Sequence, residues 1–188
     1  MRKIILFMSV SVDGFMAGPN GELDWHMVDD EVHTYFNQQL RGAGAFLSGR
    51  VTYELMAGFW PTADKDPAST PPVVEFAGIW RDTPKIVFSR TLDPGQLGQS
   101  TTVLRDVIPE EIQRLKQQPG GDLVLGGAQL AAAFMQHDLI DEYCLSIHPV
   151  IVGRGKPLFQ PQDARRQLRL AETRTFGNGV VLLRYQRP

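Results

Sequence analysis

Residues 123–130 of this 188-residue chain read Leu-Val-Leu-Gly-Gly-Ala-Gln-Leu, and this stretch decides the fold. The apolar run before the glycines predicts a short buried strand, and the residues after them predict a helix. Gly126 and Gly127 stand where the strand ends and the helix begins, so a tight turn is expected. A second strand-to-helix turn occurs over residues 47–54, which read Leu-Ser-Gly-Arg-Val-Thr-Tyr-Glu. Strands that lead directly into helices are typical of an α/β protein with a parallel sheet.

The same alternation of apolar strands and amphipathic helices extends outward on both sides of this stretch. Strands are predicted over residues 3–12, 43–48, 85–89, 103–104 and 122–125. Helices are predicted from Asp29 or Asp30 to about residue 40, and over residues 51–56, 73–80, 109–117 and 128–136. Residues 13–26 are rich in glycine and are expected to form a loop. Residues 61–72 are rich in proline, aspartate and alanine and are expected to form a second loop.

The last third of the chain has a different pattern, which predicts antiparallel strands. Residues 142–152 alternate between apolar and polar, and residues 168–176 and 180–185 flank a Gly-Asn-Gly sequence at 177–179. Glycine and asparagine tolerate the positive φ of hairpin turns, so these last two segments predict a hairpin. The sequence therefore predicts one α/β domain over residues 1–188, with a mostly parallel central sheet, antiparallel C-terminal strands and helices on both faces.

Composition excludes several classes of protein. The net charge is −2 and there is no Lys/Arg-rich run, so no nucleic-acid partner is expected. No apolar run approaches the roughly 20 residues that span a bilayer, so no membrane association is expected. Cys144 is the single cysteine, which rules out an internal disulfide and fits a reducing compartment. We expect a cytoplasmic protein, and the four dispersed histidines predict no metal site.

The two glycine turns are candidate anion sites. A helix that begins at the end of a strand presents free backbone N–H groups and the positive end of its dipole. Without a Cβ, Gly49 and Gly126-Gly127 allow an anion to approach the backbone closely. Arg50 and Thr52 add a guanidinium and a hydroxyl at the first turn. Two such turns in one sheet are suited to the phosphates of a dinucleotide, although each glycine is equally compatible with a purely structural turn.

Ser89 and Arg90 follow the third strand and form another candidate phosphate site. Ligands of open α/β sheets bind at the carboxyl ends of the strands. A guanidinium fork matches phosphate geometry, so Arg90 with Ser89 is suited to a 2′-phosphate, which would select NADP over NAD. A surface arginine in a turn is an equally good interpretation of these two residues alone.

Acidic residues near the end of the first strand are candidates for the substrate side. Asp13 directly follows that strand and precedes Gly14, so its carboxylate could reach a pocket at the end of the sheet. An ordinary Asp-Gly turn is the alternative. Asp29 and Asp30 follow at the start of the next helix, where either acid could also serve only as a cap.

Taken in order, these motifs resemble the dihydrofolate reductase superfamily, and most closely the RibD C-terminal domain family, the reductase domain of the riboflavin-biosynthesis deaminase-reductase. The motifs are Ser-Val-Asp-Gly at 11–14, Gly-Arg-Val-Thr-Tyr-Glu at 49–54, Lys-Ile-Val-Phe-Ser-Arg at 85–90, Gly-Gly-Ala-Gln-Leu at 126–130, Asp-Glu-Tyr at 141–143 and the segment 149–159. The resemblance covers nearly the whole chain. It implies a three-layer αβα sandwich, a homodimer, and NADPH-dependent hydride transfer to a small heteroaromatic substrate such as a pteridine or a pyrimidine.

The resemblance also implies roles for individual residues. The implied cofactor contacts are Gly49, Arg50 and Thr52 at the phosphates, Ser89 and Arg90 at the adenosine 2′-phosphate, and Gly126, Gly127, Ala128, Gln129 and Leu130 at the pyrophosphate. On the substrate side it implies Asp13, together with an acid beyond Trp25 that assists protonation. That acid is Asp30, or Asp29 or Glu31 if the alignment slips by one residue.

The chain departs from the family pattern in two places. Val28 stands near the position where the family often has proline. A single cysteine cannot supply the zinc signature of the deaminase, so the chain is not the bifunctional riboflavin enzyme. The alternative to a reductase is a non-catalytic nucleotide-binding module that keeps the fold, because fold does not guarantee function.

Overall fold

The computed structural model describes residues 1–98, 100–161 and 165–188. Over these ranges the chain forms ten strands, five α-helices and two short 3-10 helices. The strands are β1 (Ile4–Ser11), β2 (Phe15–Ala17), β3 (Ala45–Gly49), β4 (Lys85–Phe88), β5 (Thr101–Leu104), β6 (Leu123–Gly126), β7 (Glu142–His148), β8 (Lys156–Pro157), β9 (Arg169–Thr175) and β10 (Val181–Gln186). The α-helices are α1 (Asp30–Leu40), α2 (Arg50–Phe59), α3 (Pro71–Asp82), α4 (Pro109–Gln117) and α5 (Ala128–Gln136).

Eight of the strands form one central sheet in the order β5-β4-β3-β6-β1-β7-β10-β9. The strands from β5 to β7 are mutually parallel, and β10 pairs antiparallel with both β7 and β9. The predicted fold class, a mostly parallel sheet with antiparallel C-terminal strands, is therefore confirmed. The carboxyl ends of six parallel strands lie along one edge of the sheet, where α/β proteins usually bind ligands.

Helices cover both faces because both faces are apolar. In β3, Leu47 belongs to a core that includes Phe134 of α5, whereas its neighbour Phe46 packs into a second cluster with Trp80 of α3. The rings of Phe46 and Trp80 are stacked, with centroids 5.6 Å apart. Since successive side chains of a strand point to opposite faces, each face needs its own helical cover, and three layers result.

Three local features differ from the sequence-based expectations. Residues 61–72 contain a 3-10 helix (Trp60–Lys65) and the start of α3, which accepts two prolines in its first turn because the N–H groups there need no partner. The loop predicted over residues 13–26 contains β2, which pairs with β8 in a separate small sheet. The strand predicted over residues 142–152 ends at His148, because Pro149 has no N–H for the ladder.

The predicted hairpin turn at residues 177–179 is present and is tied to the start of α1. Gly179 adopts a positive φ of 88°. The Gly177 N–H donates to Glu31 in the first turn of α1, and the Asn178 amide donates to the carbonyl of Met27. The C-terminal hairpin thus holds the segment that leads into α1.

We expect Phe134→Ala to lower the free energy of unfolding by about 3–5 kcal/mol, because it removes a fully buried ring that packs edge-on against Phe88. Chemical denaturation monitored by circular dichroism measures this loss. Phe59→Ala is the matched control, since the Phe59 side chain is 55% exposed. Equal losses in the two variants would contradict the assigned core.

Candidate active site

The two glycine turns lie side by side at the carboxyl edge of the sheet. Ser48 of β3 is in register with Gly126 of β6, so these neighbouring strands end together. Gly49 is the N-cap of α2 and Gly127 is the N-cap of α5. The free N–H groups and positive dipole ends of two helices therefore meet at one place.

Gly127 is required by its backbone conformation and by its neighbour. Its φ is +96°, and a Cβ built there would lie 2.8 Å from the Thr52 hydroxyl oxygen. Gly126 is also close to the Thr52 methyl group, which would lie 3.9 Å from a Cβ at that position. Thr52 of α2 therefore packs directly against the α5 turn, and this contact sets the spacing of the two helix ends.

Gly49 differs, because a Cβ at this position would meet nothing within 4 Å. Its φ of −77° is accessible to any residue. No steric reason for glycine therefore comes from the described part of the protein. The volume that a side chain at Gly49 would occupy is open beside the α2 N-terminus, which is compatible with an anion site at the helix start.

Arg50 connects the α2 N-terminus to the turn after β4. Its Nε donates to Glu54 Oε1 at 2.6 Å, and its Nη1 donates to Thr91 Oγ1 at 3.0 Å. The side chain is about half exposed. The structure thus brings the first glycine turn together with the segment that contains Ser89 and Arg90.

Ser89 and Arg90 make local contacts in that segment. The buried Ser89 hydroxyl accepts the backbone N–H groups of Thr91 and Leu92, which shapes the turn. Arg90 donates through Nε and Nη2 to a single oxygen of Asp106, and its side chain is 80% exposed. Arg90 therefore stands at the surface in an ion pair whose partner follows the end of β5.

Arg105 was missed by the sequence reasoning. Its Nη1 donates to the carbonyls of Ser89 and Leu92, so a third guanidinium lies at this turn. The signal that could have identified it was its position directly after the strand predicted at residues 103–104. Parallel strands place their carboxyl ends at one edge, but which strands are neighbours was unknown from the sequence.

The side chains of the α5 turn contribute unequally. Ala128 and Leu130 are buried in the core, whereas Gln129 is exposed. Ala128 and Leu130 can therefore meet a ligand only through their backbone, while Gln129 also offers its amide group.

Asp13 lies at the rim of the same edge and is an ionised hydrogen-bond acceptor. It accepts from the Ser11 hydroxyl at 2.6 Å and from the backbone N–H groups of Val152 and Gly153 at 3.1 and 2.8 Å. These bonds, above all the one from Ser11, lower the pKa of Asp13 below its ordinary value. A carboxyl group with a lowered pKa is a poor proton donor, so Asp13 is suited to holding the segment after β7 or to orienting a ligand.

The three acids at the start of α1 have distinct surroundings. Asp29 is the N-cap and accepts from the Val32 N–H at 3.0 Å. Glu31 accepts from the Gly177 N–H at 3.0 Å. Asp30 differs from both: its side chain is exposed, and its carboxylate accepts no hydrogen bond from the described residues. The geometry therefore favours Asp30 over its neighbours as the acid available to a substrate.

Two histidines that are far apart in the sequence meet at the end of β7. His148 is fully buried opposite Ser11 of β1, and its Nδ1 accepts from the Met27 N–H at 2.9 Å. Its ring stacks on His26, with centroids 5.1 Å apart, and Trp25 packs edge-on against both rings. The sequence reasoning missed this cluster because the path of residues 13–26 was unknown.

Both imidazoles are neutral near pH 7. Burial lowers the pKa of His148 to about 4, with the nearby His26 adding to the effect. Burial also lowers the pKa of His26, against a hydrogen bond with the Met16 backbone that raises it. Among the described residues, no group of three His, Cys, Asp or Glu side chains could hold a metal ion.

Comparison with known proteins identifies the family. The RibD C-terminal domain family matches residues 2–182, so the chain belongs to it. The chain is 38% identical over 185 residues to the uncharacterised YyaP protein of Bacillus subtilis (strain 168), covering 98% of this chain and 94% of that protein. The YyaP protein therefore matches this chain over nearly its whole length, and its name gives no substrate.

Solved structures show the same fold at lower identity. One is the deaminase/5-amino-6-(5-phosphoribosylamino)uracil reductase of Thermotoga maritima, with a TM-score of 0.68, 15% identity, and coverage of 100% of this chain and 57% of that one. Another is a dihydrofolate reductase of Enterococcus faecalis complexed with NADP(H), with a TM-score of 0.62, 17% identity, and coverage of 98% and 96%. The family and the dihydrofolate-reductase-like fold support a reductase-type function.

The helices that the structure describes are also too short or too polar to cross a bilayer.

We expect Gly127→Ala to destabilise the protein by about 1–3 kcal/mol, because alanine is strained at φ +96° and its Cβ would collide with Thr52. Gly49→Ala is the control and should change stability by less than about 1 kcal/mol, because its φ is permitted and its surroundings are open. Urea denaturation of both variants decides the matter. A harmless Gly127→Ala would disprove the close contact between α2 and α5.

Proposed function

We propose that the protein is an NADPH-dependent reductase that acts on a small heteroaromatic substrate of the pteridine or pyrimidine class. The observation that carries this proposal is the meeting of the Gly49 and Gly127 helix starts, with Arg50 extending from one of them to Thr91. Family membership supports the same activity. Homodimer formation and a cytoplasmic location belong to the proposal as well.

The residues at this edge fit a phosphorylated dinucleotide. Open space lies in front of Gly49, and close packing at Gly127 brings a second set of backbone donors alongside. Phosphate oxygens accept from such groups and are favoured by the helix dipoles. The residues proposed to hold NADPH are Gly49, Arg50, Thr52, Ser89, Arg90, Gly126, Gly127, Ala128, Gln129 and Leu130.

Arg90 is proposed to select the 2′-phosphate, and its ion pair with Asp106 does not oppose this role. An ion pair this exposed is worth at most about 1 kcal/mol. A phosphate dianion is a stronger partner for the guanidinium than one shared carboxylate oxygen. Arg105 supports the turn by binding the carbonyls of Ser89 and Leu92, which leaves Arg90 at the outer surface.

On the substrate side, the protein's residues supply orientation and a proton. NADPH, when bound, supplies the hydride. Asp30 is proposed to bind the substrate heterocycle and to pass a proton to its ring nitrogen, directly or through water. Asp13 is proposed to remain ionised and to hold the segment at Val152 and Gly153 against the end of β1. The two carboxylates are given different roles because Asp13 is occupied by three hydrogen bonds, whereas Asp30 accepts none from the described residues.

The proposed homodimer has a candidate surface in β9. This strand lies at the edge of the sheet and all of its residues are exposed. Leu170 is 50% exposed there. An unpaired edge strand offers its backbone groups to a second copy, so pairing of two β9 strands is one route to a symmetric dimer.

Cofactor selection is tested with Arg90→Gln. We expect NADPH to bind at least tenfold more weakly to this variant, with little change for NADH, because one charge-assisted bond worth about 1.5–3 kcal/mol is lost. Fluorescence titration measures both affinities. Arg114→Gln is the matched control, since Arg114 is an exposed arginine on α4. Absence of saturable NADPH binding to the wild-type protein would defeat the proposed function.

Catalysis is tested with Asp30→Asn against Asp29→Asn. Turnover of the pteridine or pyrimidine that the wild-type protein reduces should fall about 100-fold or more in Asp30→Asn, because a positioned acid contributes about 10²–10⁴-fold. Asparagine keeps the helix cap, so Asp29→Asn should remain active. Oxidation of NADPH followed at 340 nm is the assay. Tight NADPH binding without turnover of any pteridine, pyrimidine, quinone or carbonyl compound would instead support the non-catalytic module.

A further inference from the structure

The cluster at the end of β7 contains polar atoms that the structure leaves unsatisfied. Within the described residues, Trp25 Nε1, His26 Nε2 and His148 Nε2 are buried and have no hydrogen-bond partner. Buried polar groups are normally paired, so each such atom requires an explanation. His148 is the most enclosed of the three residues, with 0% of its surface exposed.

The other nitrogen of His148 has a defined partner. Its Nδ1 accepts from the Met27 N–H, and the Met27 carbonyl in turn accepts from the Asn178 amide. Residue 27 is therefore held on both sides, by the end of β7 and by the C-terminal hairpin. Asp30 follows three residues later, as the first residue of α1.

We propose that His148 is a positioning residue: its neutral imidazole fixes the Met27 backbone and so sets the position of Asp30 at the start of α1. This inference rests on the proposed function for the role of Asp30. The bond between His148 and Met27 is independent of that function and can be measured without any substrate.

The bond depends on the protonation state of His148. Nδ1 can accept a hydrogen bond only when it carries a lone pair, and an imidazolium has none. Protonation would therefore replace an attraction with two N–H groups that face each other. Met27 would be released from the end of β7, and the start of α1 would lose one of its two anchors.

The groups that face His148 do not favour its charged form. From the preceding segment, His26 stacks on it and repels a second positive charge. From β1, the neighbouring Ser11 hydroxyl is committed to Asp13. From the hairpin, the Asn178 side chain is uncharged and bonded to Met27. The pKa of His148, lowered to about 4 by burial and by His26, keeps the bond intact at neutral pH.

Two substitutions of His148 separate its role as a hydrogen-bond acceptor from its ability to take up a proton. His148→Asn keeps an oxygen acceptor close to the Nδ1 position and does not titrate. His148→Leu has a similar size and removes the acceptor. If the bond positions the segment, asparagine should restore what leucine removes. A purely space-filling role of residue 148 would make the two variants alike.

The first readout is amide hydrogen exchange at Met27, measured by NMR and corrected for intrinsic exchange. At pH 7 we expect the protection factor to fall by up to about tenfold in His148→Leu, and to be retained in His148→Asn. Between pH 6 and pH 4 the wild-type protection should decline, whereas that of His148→Asn should stay level. If the protection of Met27 changed with pH in the same way in wild-type protein and in His148→Asn, the proposal would be overturned. This comparison is possible even if His148→Leu does not fold.

The second readout is catalytic. In His148→Leu we expect kcat for the reduced heterocycle to fall several-fold while the Kd for NADPH is unchanged, because the side-chain contacts of His148 in the described part of the chain are with Trp25, His26 and Met27 rather than with the cofactor turns. His148→Asn should recover most of the lost kcat. Unchanged kcat in His148→Leu, with Met27 released, would refute the link to Asp30. If the exchange results hold but no NADPH oxidation is found for any substrate, the proposed function fails while the His148–Met27 bond stands.

Discussion

The contact between Thr52 and Gly127 is the constraint on which the candidate site depends. It brings a helix that starts after β3 against a helix that starts after β6, and only a residue without a Cβ permits the approach. Because the two strands are adjacent and end in register, the backbone donors of both helices reach the same space. A larger residue at Gly127 would push the two helix ends apart and divide the site in two.

The two edges of the sheet serve different purposes. At the amino edge, the buried Glu142 carboxylate binds Lys3, Arg184 and Gln186, which ties together β1, β7 and β10. At the carboxyl edge lie the two glycine turns, the exposed Arg90, and Asp13, which accepts from the Ser11 hydroxyl and from two backbone N–H groups. The charges at the amino edge are thus paired inside the protein, whereas the opposite edge carries open space and exposed charge.

Local patterns predicted the elements well, whereas contacts between distant segments were beyond the sequence. Helices α4 and α5 have the predicted bounds, because apolar spacing and turn residues mark both of their ends. The two glycine turns were likewise identified, and the parallel sheet brings them together. The pairing of β2 with β8 and the stacking of His26 on His148 depend on the path of a long loop, which no local pattern encodes.

The ion pair between Arg90 and Asp106 affects how anions can bind at the turn after β4. The carboxylate keeps the guanidinium neutralised and oriented while no other anion is present. An anion that displaced this carboxylate would find the guanidinium already oriented, but the released Asp106 carboxylate would stay at the turn with its negative charge. Any incoming anion must therefore compete with Asp106 for Arg90, so the attraction of one exposed cation alone does not determine which anions could bind at this turn.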